Sequence, residues 1–169
     1  MAENFTIDFS GFDRLMREKV IKGGLAAARE GMGLAGQAFM NDAIMEIPAT
    51  PLGSTATGSV HPGRLRGSAS VFVNGMLNKV APDVGGGPTP AVSLGEKGAA
   101  GAITATVAFN TPYAAYQHEG VHKDGSGRIK RWTTPGTNIK FLESKRLRNS
   151  QQYFAVAAAR IKQVLEGKS

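Results

Sequence analysis

Residues 103–109 read I-T-A-T-V-A-F, and the fold class turns on them. Ile103, Ala105, Val107 and Phe109 fall on one face of an extended chain; Thr104, Thr106 and Ala108 fall on the other. Strict alternation is the period of a β-strand, and an α-helix cannot present it. Ser68–Val73 (S-A-S-V-F-V) is rich in β-branched and aromatic residues and stops at Asn74-Gly75, so it reads as a second strand.

Outward from these strands the period becomes helical. Ser10, followed by Asp13 and flanked by Phe9, has the form of a helix start. Apolar spacing runs through Phe12, Leu15 and Met16, resumes at Leu25, Ala28, Met32, Ala35, Phe39 and Ala43, and stops at Pro48. Gly23-Gly24 divides this region into a short helix and a longer one. Gly31, Gly33 and Gly36 weaken the longer helix in isolation but admit a close neighbour. At the other end, a helix after Asn149 or Ser150 is expected to bury Phe154, Ala157, Ala158, Ile161, Val164 and Leu165. Residues 141–147 read as a helical turn or two.

Helix, strand, strand, helix predicts an α+β fold: a small antiparallel β-sheet packed by a long N-terminal helix and a C-terminal helix. Long Gly/Pro-rich loops are expected at about 49–62, 74–101 and 120–139, mobile unless a partner orders them. Arg128–Thr133 reads as a short strand within the last. The 169 residues suit a single domain, 1–169. A sheet this small keeps free edges, which suits a subunit completed by its neighbours.

Composition narrows the function classes. There is no cysteine, so disulfides and thiolate metal sites are excluded. The start, M-A-E-N-F-T-I-D, lacks the basic and apolar regions of a secretion signal, and no apolar run approaches membrane-spanning length. No membrane partner is expected. The formal net charge is +7, with cations grouped at Arg14/Arg17/Lys19/Lys22, Arg64/Arg66, Lys123/Arg128/Lys130/Arg131 and Lys140/Lys145/Arg146/Arg148. Such groups favour nucleic acid or an acidic protein surface, or they are ordinary solvated faces. No nucleic-acid module signature accompanies them, so DNA contact is expected to be non-specific.

His118-Glu119-Gly120-Val121-His122 spells a zinc-protease signature. On a helix, histidines at i and i+4 share one face and one Zn²⁺, and the glutamate polarises the metal-bound water. Gly125 sits where the extended signature places a glycine, but Arg128 occupies the third-ligand position and cannot coordinate zinc. The remaining histidine is His61, far upstream; Glu143 is the nearest downstream glutamate. Gly120 and Val121 inside the motif, and K-D-G-S-G after it, favour a turn over a continuous helix. The expected reading is two exposed or partly packed histidines beside a turn, with no metal, no cofactor and no catalytic residue.

Three stretches taken in order carry a resemblance. They are Gly63-Arg64-Leu65-Arg66-Gly67-Ser68, Asn110-Thr111-Pro112-Tyr113-Ala114-Ala115-Tyr116-Gln117-His118-Glu119-Gly120, and Lys140-Phe141-Leu142-Glu143. Together they resemble the neck and tail-completion proteins of long-tailed bacteriophages, including minor capsid and tail-component relatives, over residues 12–165. In that family the first run leads from a loop into the first strand, the second turns the chain off a strand, and Phe-Leu opens the C-terminal helical part. The resemblance therefore gives structural roles to Gly63, Arg64, Leu65 and Ser68, to Tyr113, Ala114, Tyr116, Glu119 and Gly120, and to Phe141 and Leu142.

It implies a non-enzymatic virion protein of the head-to-tail junction: a neck, tail-completion or tail-terminator ring assembled in the host cytoplasm. Its partners would be copies of itself and neighbouring connector, stopper or tail-tube proteins, with DNA passing by. Trp132, with Arg128, Lys130 and Arg131, is the expected loop anchor against a neighbouring subunit. A zinc metalloprotease using the HEGVH segment and a non-specific DNA-binding protein are the alternatives. The 49–62 and 74–101 loops are longer than the family pattern.

Overall fold

The computed structural model describes residues 4–7, 24–47, 64–81, 102–120 and 139–167. In chain order the elements are β1 (Asn4–Ile7), α1 (Leu25–Glu46), the single turn α2 (Arg64–Gly67), β2 (Ala69–Val73), β3 (Met76–Val80), β4 (Ala105–Phe109), α3 (Ala114–Glu119) and α4 (Phe141–Leu165). The chain is α+β, as the alternation between periods predicts: an antiparallel sheet packed by a long N-terminal and a long C-terminal helix.

The sheet has four strands in the order β1-β4-β2-β3, with every neighbouring pair antiparallel. The two strands legible in the sequence are the inner ones. β2 and β4 are buried along their whole length. Val71 lies opposite Val107 in the ladder, and both belong to the main core with Ala69, Ala105 and Phe109. On the opposite face Phe72, Thr106 and Ala108 are buried too.

β3 corrects the expectation of a loop from 74 to 101. Asn74 and Gly75 both have positive φ, 51° and 78°, so Asn-Gly forms a two-residue hairpin turn that returns the chain as a strand. The Asn74 N–H donates to Thr104 O at 2.9 Å, and its Oδ1 accepts the Thr104 N–H at 2.9 Å, tying the turn to the approach of β4. Residues 82–101 of that loop lie outside the described residues. So do the short helix expected from Ser10, the 49–62 loop and the strand expected at Arg128–Thr133.

α1 lies between the sheet and α4, which explains its small residues. A Cβ on Gly36 would lie 2.6 Å from Val71 Cγ1, and one on Gly31 would lie 2.7 Å from the backbone oxygen of Ala157. The glycines let a strand and a helix approach opposite flanks of one helix. Between them Met32, Ala35, Phe39, Met40 and Ala43 fill the core. Burying Met32, Phe39 and Met40 stabilises by roughly 1.5–3 kcal/mol each, which offsets the glycines' low helix propensity.

α4 is one continuous helix, which corrects the expected start at Asn149 or Ser150. Asn149 does not cap; its Nδ2 donates to Asp42 Oδ2 across the helix interface at 3.0 Å. The expected buried face is half right. Ala157 and Ile161 are buried and Phe154 and Val164 are half-buried, whereas Ala158 and Leu165 are exposed. The stripe facing α1 runs instead through Tyr153, Ala157 and Ile161, with Phe39 and Tyr153 edge-to-face at 5.3 Å.

Candidate functional site

Among the described residues, chemistry-bearing side chains concentrate in two places: a corner at the end of β4, and the polar half of the α1–α4 interface. The corner begins as β4 ends. Asn110 N–H donates to Ser68 O at 3.2 Å, and Ala114 N–H donates to Thr111 O at 3.1 Å as the chain winds into α3. Residues 114–119 form this short helix, ahead of the Gly-rich turn chemistry in the sequence. Gly120 then closes the helix in the left-handed conformation, φ 69°, and a Cβ there would collide with Ile139.

That cap bears on the HEGVH segment. His118 stands in the last turn of α3, which ends at Glu119, so α3 itself does not carry the second histidine of the signature. His122 and His61 lie outside the described residues. His118 is also no exposed histidine, which corrects that expectation. It is 2% exposed, and its ring meets Phe141 edge-on with centroids 4.9 Å apart. Burial pulls its pKa below the ordinary 6.5; Glu119 opposes this, Lys140 adds to it, and Glu143 opposes it. Among the described residues no three His, Asp or Glu side chains are placed to hold a metal ion.

The corner is fastened to α4 through Lys140. Its N–H donates to His118 O at 2.6 Å, and its Nζ lies 2.6 Å from Glu119 Oε2 and 3.8 Å from Glu143 Oε2. Lys140 has φ 55°, an uncommon conformation for a non-glycine residue, held here by both contacts. Glu119 thus accepts from a cation, as its place among many cations suggests. Phe141 packs on Phe109 at 5.4 Å as well as on His118.

The structural-motif residues come together. Leu65, Ala114, Phe141 and Leu142 belong to the same core cluster, with Tyr113 packed against it. Ser68 is fully buried, and its Oγ donates to Leu65 O at 2.8 Å. Tyr116 and Glu119 are half-buried on α3. Arg64 opens α2, and its neighbour Arg66 donates through Nε and Nη2 to Ile47 O at 3.1 and 2.6 Å, capping the end of α1. Gly63, Trp132, Arg128, Lys130 and Arg131 lie outside the described residues.

The second cluster has no sequence signature, since its members lie on helices about a hundred residues apart. Asp42 Oδ2 accepts from Tyr153 OH at 2.7 Å as well as from Asn149. Burial, and then this hydrogen bond to Asp42, push the Tyr153 phenol pKa up. Glu46 accepts from Ser144 Oγ at 2.8 Å and lies 3.1 Å from Lys145 Nζ and 3.9 Å from Arg148 Nη1. Three cations of the 140–148 group therefore answer carboxylates of this chain, which leaves Arg146 as the exposed remainder.

An open cleft of about 570 Å³ lies beside α1 and the β2–β3 turn, walled by Arg29, Val73, Asn74 and Met76. Glu30 at its rim pairs with Arg160 at 3.1 Å. No helix among the described residues is long and apolar enough to cross a membrane. No protein-family model, curated protein or solved structure matches this chain.

Proposed function

We propose that this chain is a structural subunit of a bacteriophage head-to-tail junction, a neck, tail-completion or tail-terminator protein that assembles with copies of itself into a ring. One observation supports the reading above the others. The three stretches that carry the resemblance are spread over residues 63–143, yet their described parts pack as one corner. Leu65 and Ser68 enter the sheet there, α3 turns away from it, and Phe141-Leu142 returns as α4. The residues of that corner are spent on packing and on the Glu119–Lys140 pair, in keeping with a part that positions surfaces.

The test is the assembly state of the purified full chain, by sedimentation velocity and negative-stain electron microscopy across a concentration series. Closed rings of uniform size are expected, with no stoichiometric metal. A protein that stays monomeric, binds one zinc per chain and cleaves peptides in a chelator-sensitive manner would be the metalloprotease instead. A monomer that coats DNA with steep salt dependence would be the DNA-binding alternative.

A further inference from the structure

Among the described residues the sheet ends in β1 on one side and β3 on the other. Edge strands present unpaired N–H and C=O groups that can template another strand. β3 is open to such an approach: Met76 is 61% and Val80 43% exposed, and Asn78 and Lys79 are exposed beside them. Its inward groups are identified by the ladder. Met76 pairs with Val73 across the hairpin turn, and Ala81 N–H donates to Ala69 O at 2.9 Å. Alternation in an antiparallel pair, with the irregularity at Val71/Phe72 counted, then directs the Val80 N–H away from β2.

Topology makes the two edges complementary. With four strands alternating in direction, β1 and β3 run opposite ways. A second copy in the same orientation, with its β1 set against β3, continues the antiparallel ladder without inversion. Charge favours this occupant over a two-fold β3–β3 pairing. Lys79 is the one charged residue of β3, and two-fold pairing would place two lysines on a shared ladder. β1 carries no charge and is bracketed in the sequence by Glu3 and Asp8. We infer that copies of this chain join head to tail through their sheets, the β3 edge of one taking the β1 edge of the next. This inference rests on the ring reading and names the surfaces that would build it; a heterologous contact of this kind closes into a ring when its rotation permits.

Because the chain has no cysteine, disulfide trapping reports only on introduced pairs. Val80→Cys combined with Phe5→Cys or with Thr6→Cys, consecutive residues of β1, should give a ladder of covalent oligomers under oxidation. Val80→Cys alone should give none. Val80→Pro removes a donor that the β2 ladder does not use, so it should fold and fail to assemble; Val80→Lys is the second blocking variant should the proline unfold the chain. Dimers from Val80→Cys alone would overturn the inference in favour of two-fold pairing. Rings that form in the blocking variants and resist trapping would overturn it while leaving the ring reading intact. A wild-type chain that is monomeric at every concentration would sink both.

Discussion

His118 shows how a single side chain changes character with its surroundings. In the sequence it is half of a metal-binding signature; in the fold it is a buried ring against Phe141 at the closing turn of α3. Because burial holds its pKa below 6.5, the unfolded chain binds the proton more readily than the folded one. Its contribution to stability is therefore complete above 6.5 and is lost as pH falls below that value toward the lower folded pKa. Urea midpoints on either side of 6.5 should fall with acid in the wild type. The fall should be smaller in His118→Phe, which keeps an aromatic contact and removes the titration. A variant that loses stability in parallel with the wild type would place the acid sensitivity elsewhere.

At the scale of the element, α1 sets helix propensity against close packing. Gly31→Ala gains about 1 kcal/mol of propensity, yet its Cβ would meet the Ala157 backbone, which has no rotamer to yield. Net destabilisation of about 1–3 kcal/mol is expected from forcing α1 and α4 apart. Gly33→Ala should be neutral or stabilising, because its Cβ meets the end of the exposed Asn78 side chain, which can swing away. Denaturant titration of both variants checks the contrast, and equal effects would refute it. The same contrast explains what the sequence revealed. β2 and β4 were legible because inner strands must be apolar and β-branched, and α1 because its stripe repeats. β3 was not: M-L-N-K-V is an exposed edge with no buried face to impose alternation, and Asn74-Gly75 marks a strand end and a hairpin alike. At only four residues, β1 gave too little pattern to read. The start of α4 was misplaced because Asn149 resembles a cap until its partner Asp42 is known. The corner's turn chemistry was legible, whereas the burial of His118 depends on Phe141, across a stretch that sequence spacing does not bridge.

For the whole molecule, the α1–α4 interface is the principal long-range fastening. The helices run antiparallel, since Glu46 meets Lys145, Asp42 meets Tyr153, and Glu30 meets Arg160. Asp42→Ala would leave the Tyr153 hydroxyl and Asn149 amide without this acceptor and should destabilise by about 1–3 kcal/mol. Tyr153→Phe should cost less, because it removes the donor together with its need for a partner. In a double-mutant cycle the pair should show favourable coupling of about 0.5–3 kcal/mol. Strict additivity would mean that the hydrogen bond holds no register between the helices.

That fastening also fixes when the molecule can be completed. The Ser144–Glu46 and Tyr153–Asp42 bonds span 98 and 111 positions of the chain. During synthesis α1 leaves the ribosome long before α4 exists, and its glycines leave it a poor helix until that flank is covered. The chain should therefore acquire its native structure only after translation of the C-terminal helix, with slow, high-contact-order folding. A ribosome-bound chain truncated before Phe141 would expose the Gly31 flank of α1 and be the species most dependent on chaperones.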